Sequence, residues 1–269
     1  MNTVGRRALQ AEIGTRFTAD WTSQRHRLRR VIAEFIGTAG LTFVLSRGAA
    51  ILATYGGAEL AKYQYAFILS TVSALWLTTA VYFLGDISAH FNPATFAFAL
   101  RKDTGWPMAC VYFVVQLFAA AVGSLVARAL FGTGGNLAAT IPAPGHELGA
   151  VGFEAILTFG IVLMVLGMAN GPKLDGAYIP LAVGAYVMAA GTMGGPYDGA
   201  AFNPARAFGP DLVRGDLSTY WVYPLGSLVG SIVAVLVATV LRGAATAQEA
   251  QAAMGTPLEP EETIMAMPS

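Results

Sequence analysis

Two copies of the tripeptide Asn-Pro-Ala stand in strongly apolar surroundings, in the stretches AHFNPATFAF and AAFNPARAFG. The first copy is Asn92, Pro93 and Ala94, and the second is Asn203, Pro204 and Ala205. Proline is favoured in the first turn of a helix, and an asparagine before it can cap the helix and still donate an amide N–H elsewhere. Two such N-termini facing each other across a narrow pore would present the positive ends of both helix dipoles. The pattern therefore predicts a paired polar site that opposes the passage of cations and protons.

The elements that must position these tripeptides are predicted from runs with few charges, since about 20 apolar residues cross the hydrocarbon core of a bilayer. Six runs are long enough: 31–53, 63–85, 104–127, 148–170, 176–197 and 217–241. Two shorter apolar pieces, NPATFAFAL and NPARAFGPDL, begin at the tripeptides and are too short to cross. We expect re-entrant half-helices here, and irregular backbone at membrane depth must then line a wet cavity or be covered by protein.

The order of span, span, half-helix and span occurs twice, over about residues 30–131 and 148–242. Each copy opens with a similar pattern, AEFIGT or FEAILTF. Because three spans are an odd number, the second copy must be inverted relative to the first. The predicted fold is an all-α membrane protein with six transmembrane helices plus two re-entrant half-helices in two inverted repeats.

The distribution of Lys and Arg predicts the orientation of the chain in the membrane. With the N-terminus inside, the cytoplasmic side receives the arginines of the tail, residues 1–29, and the outer side receives fewer basic residues. We therefore expect both termini in the cytoplasm. The last segment, residues 243–269, is rich in Ala, Pro and Glu and is predicted to be a disordered tail.

Composition excludes several classes of function. The chain is 55% hydrophobic and only 12% charged, with a formal net charge of zero, so the lipid bilayer is its expected surrounding and nucleic acid is not an expected partner. The lone Cys110 cannot form an internal disulfide, and three widely spaced histidines offer no metal site or acid–base cluster. We predict no cofactor, no metal and no enzymatic activity.

Three of the charged residues inside the apolar segments are functional or structural candidates. Arg206 directly follows the second tripeptide, while Glu34 and Glu154 occupy matching places early in the two repeats. The symmetry of the two glutamates favours structural acids that accept hydrogen bonds from loop backbone. A proton relay is the alternative interpretation of the same residues.

These motifs resemble the major intrinsic protein family, the aquaporins and aquaglyceroporins, over about residues 30–242. The resemblance implies a passive channel for water and small uncharged solutes, with the outer selectivity filter at Arg206, Gly191, Ala200 and Ser73. It also implies that His90 lines the inner vestibule and that the channel is a homotetramer. The location expected for the multi-pass chain is the cell inner, or plasma, membrane.

The letters around the filter leave the solute open. A ring of Ser, Gly, Ala and Arg would be wide, which favours solutes larger than water such as glycerol or urea. Ala207 instead resembles water channels, and Tyr223 with Pro224 is intermediate between the two subfamilies. A proton-coupled secondary transporter using Glu34 or Glu154 is the alternative function, because inverted repeats with broken helices also occur in transporters.

Overall fold

The structure is a computed structural model that describes residues 24–56, 60–91, 93–169 and 178–244. Eight α-helices are found in these residues. They are α1 (Gln24–Tyr55), α2 (Lys62–Leu84), α3 (Ala94–Leu100), α4 (Trp106–Phe131), α5 (Glu147–Ala169), α6 (Ile179–Asp198), α7 (Pro204–Arg214) and α8 (Val222–Arg242). The two tails lie outside the described residues, as do Asn92 and the segments 57–59 and 170–177.

Five of the helices are long and apolar enough to cross a membrane, namely α1, α2, α4, α5 and α8. Helix α6 is less hydrophobic, because it contains several glycines and prolines. Its 20 residues give a length of about 30 Å, which is still enough to cross the hydrocarbon core. Helices α3 and α7 have 7 and 11 residues and begin at the two tripeptides. The predicted six spans with two half-helices are therefore confirmed.

The largest differences from the predicted boundaries are at the starts of α1 and α8. Helix α1 already begins at Gln24, because the basic residues before the apolar run continue the helix beyond the membrane core. Helix α8 begins only at Val222, because residues 217–221 form turns in which Tyr220 N–H donates to the Leu217 carbonyl at 3.1 Å. A hydropathy pattern does not distinguish these apolar turns from the first turn of the helix.

Each repeat packs its first spanning helix against its last, α1 on α4 and α5 on α8, and α2 packs against α6 between the repeats. Glycines permit the close approach in both repeats. A Cβ at Gly123 on α4 would lie 2.1 Å from the Ala39 carbonyl oxygen, and one at Gly230 on α8 would lie 2.3 Å from the Ala155 carbonyl oxygen. Small residues at such contacts are the usual means by which membrane helices pack.

Aromatic side chains repeat this internal correspondence. Trp76 Nε1 on α2 donates to the Gly37 carbonyl at 2.9 Å, and the Tyr186 hydroxyl on α6 donates to the Leu157 carbonyl at 2.8 Å. Gly37 and Leu157 each stand three residues after the glutamate of their repeat. The two halves are therefore built on the same side-chain contacts as well as on the same order of helices.

Candidate functional site

A cavity of about 930 Å³ lies between the two repeats and extends along the whole of α2, from Lys62 to Gly85 and Asp86. Helix α2 has 23 residues, so the cavity follows about 34 Å of helix, a length comparable to the hydrocarbon thickness of a bilayer. Eight residues predicted at the site line this cavity: Ser73, His90, Pro93, Ala94, Gly191, Ala200, Asn203 and Arg206. The structure thus brings the sequence motifs of both repeats to one passage.

Asn203 forms the start of the second half-helix. Its Oδ1 accepts a hydrogen bond from the backbone N–H of Arg206 at 2.8 Å, which caps α7, and Pro204 stands in the first turn. Its Nδ2 donates to the carbonyl of Phe91 at 3.0 Å, so the tip of α7 is tied to the loop of the first repeat. Ala205 is buried, which is consistent with close packing of the half-helix.

The first half-helix begins at Ala94, with Pro93 at its N-cap position. Asn92, which the sequence predicts as the partner of Asn203, lies outside the described residues. Pro93 and Ala94 both line the cavity, so the start of α3 faces the same passage as Asn203.

The carboxylate of Glu34 is fully buried and accepts hydrogen bonds from the loop that precedes the first tripeptide. Its Oε1 accepts from the backbone N–H of His90 at 2.8 Å, and its Oε2 accepts from that of Phe91 at 2.9 Å. The Ser88 hydroxyl and the Gln116 amide donate to the same carboxylate at 2.6 and 2.7 Å. Four donors thus surround one buried charge.

Glu154 has the equivalent geometry in the second repeat. It is fully buried, its Oε1 accepts from the backbone N–H of Ala201 at 2.6 Å, and its Oε2 accepts from that of Phe202. In both repeats, therefore, one carboxylate binds two consecutive N–H groups that directly precede the Asn-Pro-Ala tripeptide. Backbone donors to a carboxylate are strong because the acceptor is charged.

The residue before each tripeptide adopts a backbone conformation that is unusual for an L-amino acid. Phe91 has φ of 44° and Phe202 has φ of 32°. Such left-handed conformations cost about 1–2 kcal/mol per residue, so neighbouring contacts must hold them. The hydrogen bonds to Glu34 and Glu154 act at these two residues.

His90 lies at the cavity beneath the first half-helix and is 8% exposed. Its Nδ1 lies 3.2 Å from Thr95 Oγ1, which also accepts a hydrogen bond from Gln116 Nε2 at 3.2 Å. Thr95 and Gln116 were not predicted as part of the site. The only signal in the sequence was the presence of polar residues in apolar segments, which does not identify their partners.

Arg206 is the only charged side chain among the described lining residues away from the two ends of α2, and it is 8% exposed. Its Nη1 is buried without a hydrogen-bond partner among the described residues. The guanidinium interacts electrostatically with Asp211, Tyr223, Glu154 and Asp198. It is therefore a buried cation beside the passage, at the depth of the second half-helix.

The other predicted filter residues are small. Gly191 faces α2, where an added Cβ would lie 2.4 Å from Ser70 Oγ, and Ser73 lies one turn further along α2. Ala200 has φ of 44° and lines the cavity directly before the loop residues held by Glu154. Ser70 also lines the cavity but was not predicted, because the sequence does not show which residue of α2 faces Gly191.

No group of three or more His, Cys, Asp or Glu residues able to hold a metal ion occurs in the part of the chain that the structure describes. Cys110 is exposed on α4. The arrangement offers a passage with a few polar groups and, away from the ends of α2, one fixed positive charge among the described residues, which is suited to neutral polar molecules.

Comparison with known proteins agrees with this geometry. The family model described as major intrinsic protein matches residues 21–238. The chain is 34% identical over 209 residues to aquaporin NIP1-1 of Zea mays, covering 76% of this chain and 72% of that protein. It is 33% identical over 221 residues to nodulin-26 of Glycine max, covering 80% of this chain and 78% of that protein.

A solved structure is similar in fold. The X-ray structure of the aquaglyceroporin from Plasmodium falciparum superposes with a TM-score of 0.65 at 24% identity, covering 78% of this chain and 94% of that chain. At this level of identity the likeness shows the arrangement of helices and half-helices.

Proposed function

This chain belongs to the major intrinsic protein family, and from that premise we propose that its pore conducts glycerol- or urea-sized neutral solutes as well as water. The general activity is that of the family: the protein is a passive transmembrane channel for water and small uncharged solutes. The proposed extension to larger solutes rests on the small side chains of the filter. The single observation that carries it is that the three residues lining the cavity with Arg206 at the proposed filter, Gly191, Ala200 and Ser73, are all small.

Arg206 and these three residues form the proposed outer filter. Small residues leave room in the passage for a larger solute, while the guanidinium of Arg206, which lines the same cavity, offers donors to the oxygen atoms of that solute. Ser73 Oγ donates to the Ser70 carbonyl at 3.0 Å, so its lone pairs remain available to a solute N–H or O–H. A wall with both donors and acceptors is suited to polyols and amides.

Exclusion of protons and ions is assigned to the tripeptides together with Arg206. The positive dipole end of α7 lies at the passage, because Asn203 at its N-cap lines the cavity, and α3 begins beside the same cavity. A neutral oxygen accepts hydrogen bonds at this point, whereas a cation meets positive potential. His90 is proposed to line the inner vestibule, and Asn92 is proposed to match Asn203.

The proposal is tested by stopped-flow light scattering of proteoliposomes with water, glycerol and urea gradients in one preparation. We expect all three permeabilities to exceed those of empty vesicles. Glycerol and urea permeabilities equal to those of empty vesicles, beside a raised water permeability, would contradict the wide filter. The control is the same vesicle preparation reconstituted without protein.

Replacing Ser73 with phenylalanine is expected to lower glycerol permeability by about tenfold and to lower water permeability less, because the added ring occupies the lumen. Stopped-flow measurement of both solutes gives the ratio. Leu75→Phe is the matched control, since Leu75 is 62% exposed on the outside of the same helix. An unchanged ratio in Ser73→Phe would show that Ser73 does not belong to the filter.

The alternative of a proton-coupled transporter is not favoured by the relatives, which are named as channels. The geometry of the glutamates also argues against it, because Glu34 and Glu154 bind loop backbone in both repeats. Solute flux through the channel should accordingly not respond to an imposed pH gradient.

Assembly and location follow the same reasoning. We propose a homotetramer in the plasma membrane with both termini in the cytoplasm, and we assign no enzymatic activity. The excess of Lys and Arg on the predicted inner side supports the orientation, and exposed apolar residues along the helices are suited to contact with lipid or with other subunits.

A further inference from the structure

The linker between the two repeats, residues 132–146, contains a turn whose backbone is in the left-handed helical conformation. Gly135, Asn136, Leu137 and Ala138 have φ values of 56°, 52°, 56° and 59°. Three of these residues carry a Cβ, and a left-handed conformation costs each about 1–2 kcal/mol. The turn must therefore be held by contacts from the surrounding helices.

Three elements hold the linker. Ser46 Oγ on α1 donates to the Leu137 carbonyl at 2.9 Å, and the Tyr65 hydroxyl on α2 donates to the Gly135 carbonyl at 3.1 Å. The third contact comes from the second half-helix, where Asp211 Oδ1 accepts from the backbone N–H of Thr140 at 3.1 Å. Gly135 and Ala138 line the cavity, so the linker is part of the wall of the passage.

The contact between Asp211 and Thr140 is completely buried, with both residues at 0% exposure. Asp211 Oδ2 lies 3.5 Å from Thr140 Oγ1, at the long limit of a hydrogen bond, and the Thr140 side chain is also hydrogen-bonded to Tyr223. The Tyr223 hydroxyl donates to the carbonyl of Asp198 at 2.9 Å. These side chains join α7, the linker, α8 and the end of α6 in one polar cluster.

Thr140 packs directly on the loop that carries the filter. A Cβ at Gly199 would lie 2.8 Å from Thr140 Cγ2 and 2.9 Å from its Cα, and Gly199 has φ of 96°. The next residue is Ala200, which lines the passage. Thr140 therefore fixes the position of the backbone at one side of the proposed filter, and Asp211 fixes Thr140.

Asp211 also interacts electrostatically with Arg206, from the same half-helix. Its carboxylate therefore acts on two residues of the proposed filter. It interacts with Arg206 through charge, and it is connected to Ala200 through Thr140, which packs on Gly199. Asp211 is therefore placed to affect the filter as well as the stability of α7.

We propose that Asp211 is a positioning residue of the selectivity filter, which holds Thr140 and the linker against the loop bearing Ala200 and so sets the relative permeability to different solutes. The proposal rests on the proposed function for the identity of the larger solutes. The hydrogen bond to the Thr140 N–H carries the effect. Loss of that acceptor should change selectivity, whereas a neutral side chain that keeps the acceptor should preserve it.

The test compares Asp211→Ala, Asp211→Asn and Thr140→Val in proteoliposomes, with Asp216→Ala as the control. Asn keeps an oxygen for the Thr140 N–H and offers an N–H to Thr140 Oγ1, while Asp216 belongs to a partly exposed pair with Arg214. The readouts are the glycerol-to-water permeability ratio and the hydrogen–deuterium exchange of residues 133–145.

For Asp211→Ala we expect the ratio to change by about fivefold, the rate factor equivalent to one ordinary hydrogen bond, together with faster exchange of the linker. Asp211→Asn should match the native protein in both readouts, and Thr140→Val should also keep the native ratio, because it retains the backbone N–H that Asp211 accepts and the methyl group that packs on Gly199. Asp216→Ala should leave both readouts unchanged.

An unchanged ratio in Asp211→Ala would overturn the proposal, even with lowered stability, since a purely structural acid acts on stability alone. Equal changes in Asp211→Asn and Asp211→Ala would also overturn it, because charge and not the acceptor would then matter. If Asp211→Ala does not fold, Asp211→Leu decides, because leucine fills the site but has no acceptor: a shifted ratio supports the proposal and an unchanged one contradicts it.

Failure of the proposed solute range is distinguishable from failure of this proposal. A native protein that conducts water alone contradicts the solute range. In that case the activation energy of water flux replaces the glycerol-to-water permeability ratio as the readout in the same variants. Hydrogen–deuterium exchange of residues 133–145 is measured as before.

Discussion

Glu34→Ala is expected to prevent stable assembly of the channel or to lower its free energy of unfolding by about 3–5 kcal/mol, the range for removing one partner from a buried charged network. The substitution leaves the N–H groups of His90 and Phe91 and the Gln116 amide without their acceptor. Each buried donor without a partner costs about 1–3 kcal/mol. Phe91 would also lose the contact that holds its left-handed backbone.

The measurement is the midpoint of thermal unfolding in detergent, together with the yield of folded protein. Glu154→Ala should behave in the same way, since Glu154 binds Ala201 and Phe202 in the second repeat. Asp86→Ala, at an exposed acid, is the control. A Glu34→Ala protein with native stability and altered coupling to a pH gradient would support the transporter interpretation instead.

Arg206→Ala is expected to raise the permeability of the channel to small cations by about fivefold to a thousandfold. Two unit charges about 4 Å apart repel by about 1 kcal/mol in water and about 4 kcal/mol near a protein surface, which corresponds to rate factors of this order. The barrier from the half-helix dipoles remains, so the leak should stay well below that of an ion channel. Vesicle assays with pH-sensitive and potassium-sensitive dyes measure it.

Arg206→Lys keeps the positive charge but loses the planar set of donors, so it should restore cation exclusion while changing solute selectivity. Arg214→Ala, at a partly exposed residue paired with Asp216, serves as the control for loss of a positive charge. Cation permeability of Arg206→Ala equal to that of the native protein would show that Arg206 does not form the electrostatic barrier.

The matching roles of Glu34 and Glu154 show what an internal repeat in the sequence can predict and what it cannot. Their positions in AEFIGT and FEAILTF indicate that they are equivalent, and equivalence favours a structural role. Their partners could not be predicted, since the side chains that donate to Glu34 come from separate segments, Ser88 from the loop after α2 and Gln116 from α4. Periodicity places a residue on a helix but does not state which helix it faces.

The proposed filter is a second case in which the sequence predicts residues but not the contacts between them. The resemblance to the family predicts Gly191, Ala200 and Ser73 as filter residues, and all three line the cavity. Ser70, which stands next to Gly191, and the Asp211–Thr140 contact were not predicted from the sequence. Both depend on the packing of α2 on α6 and on the path of the linker.

The sequence by itself determined the number of spans, the two half-helices, the inverted repeat and the family. These depend on local hydrophobicity, on proline and asparagine in a helical first turn, and on an odd number of crossings, all of which act within short segments. Only the tertiary structure decided what holds the two tripeptide loops and what forms the wall beside Arg206. Those contacts join residues far apart in the chain, such as Asn203 with Phe91 and Thr140 with Asp211, through directional hydrogen bonds that exist only once the helices have packed.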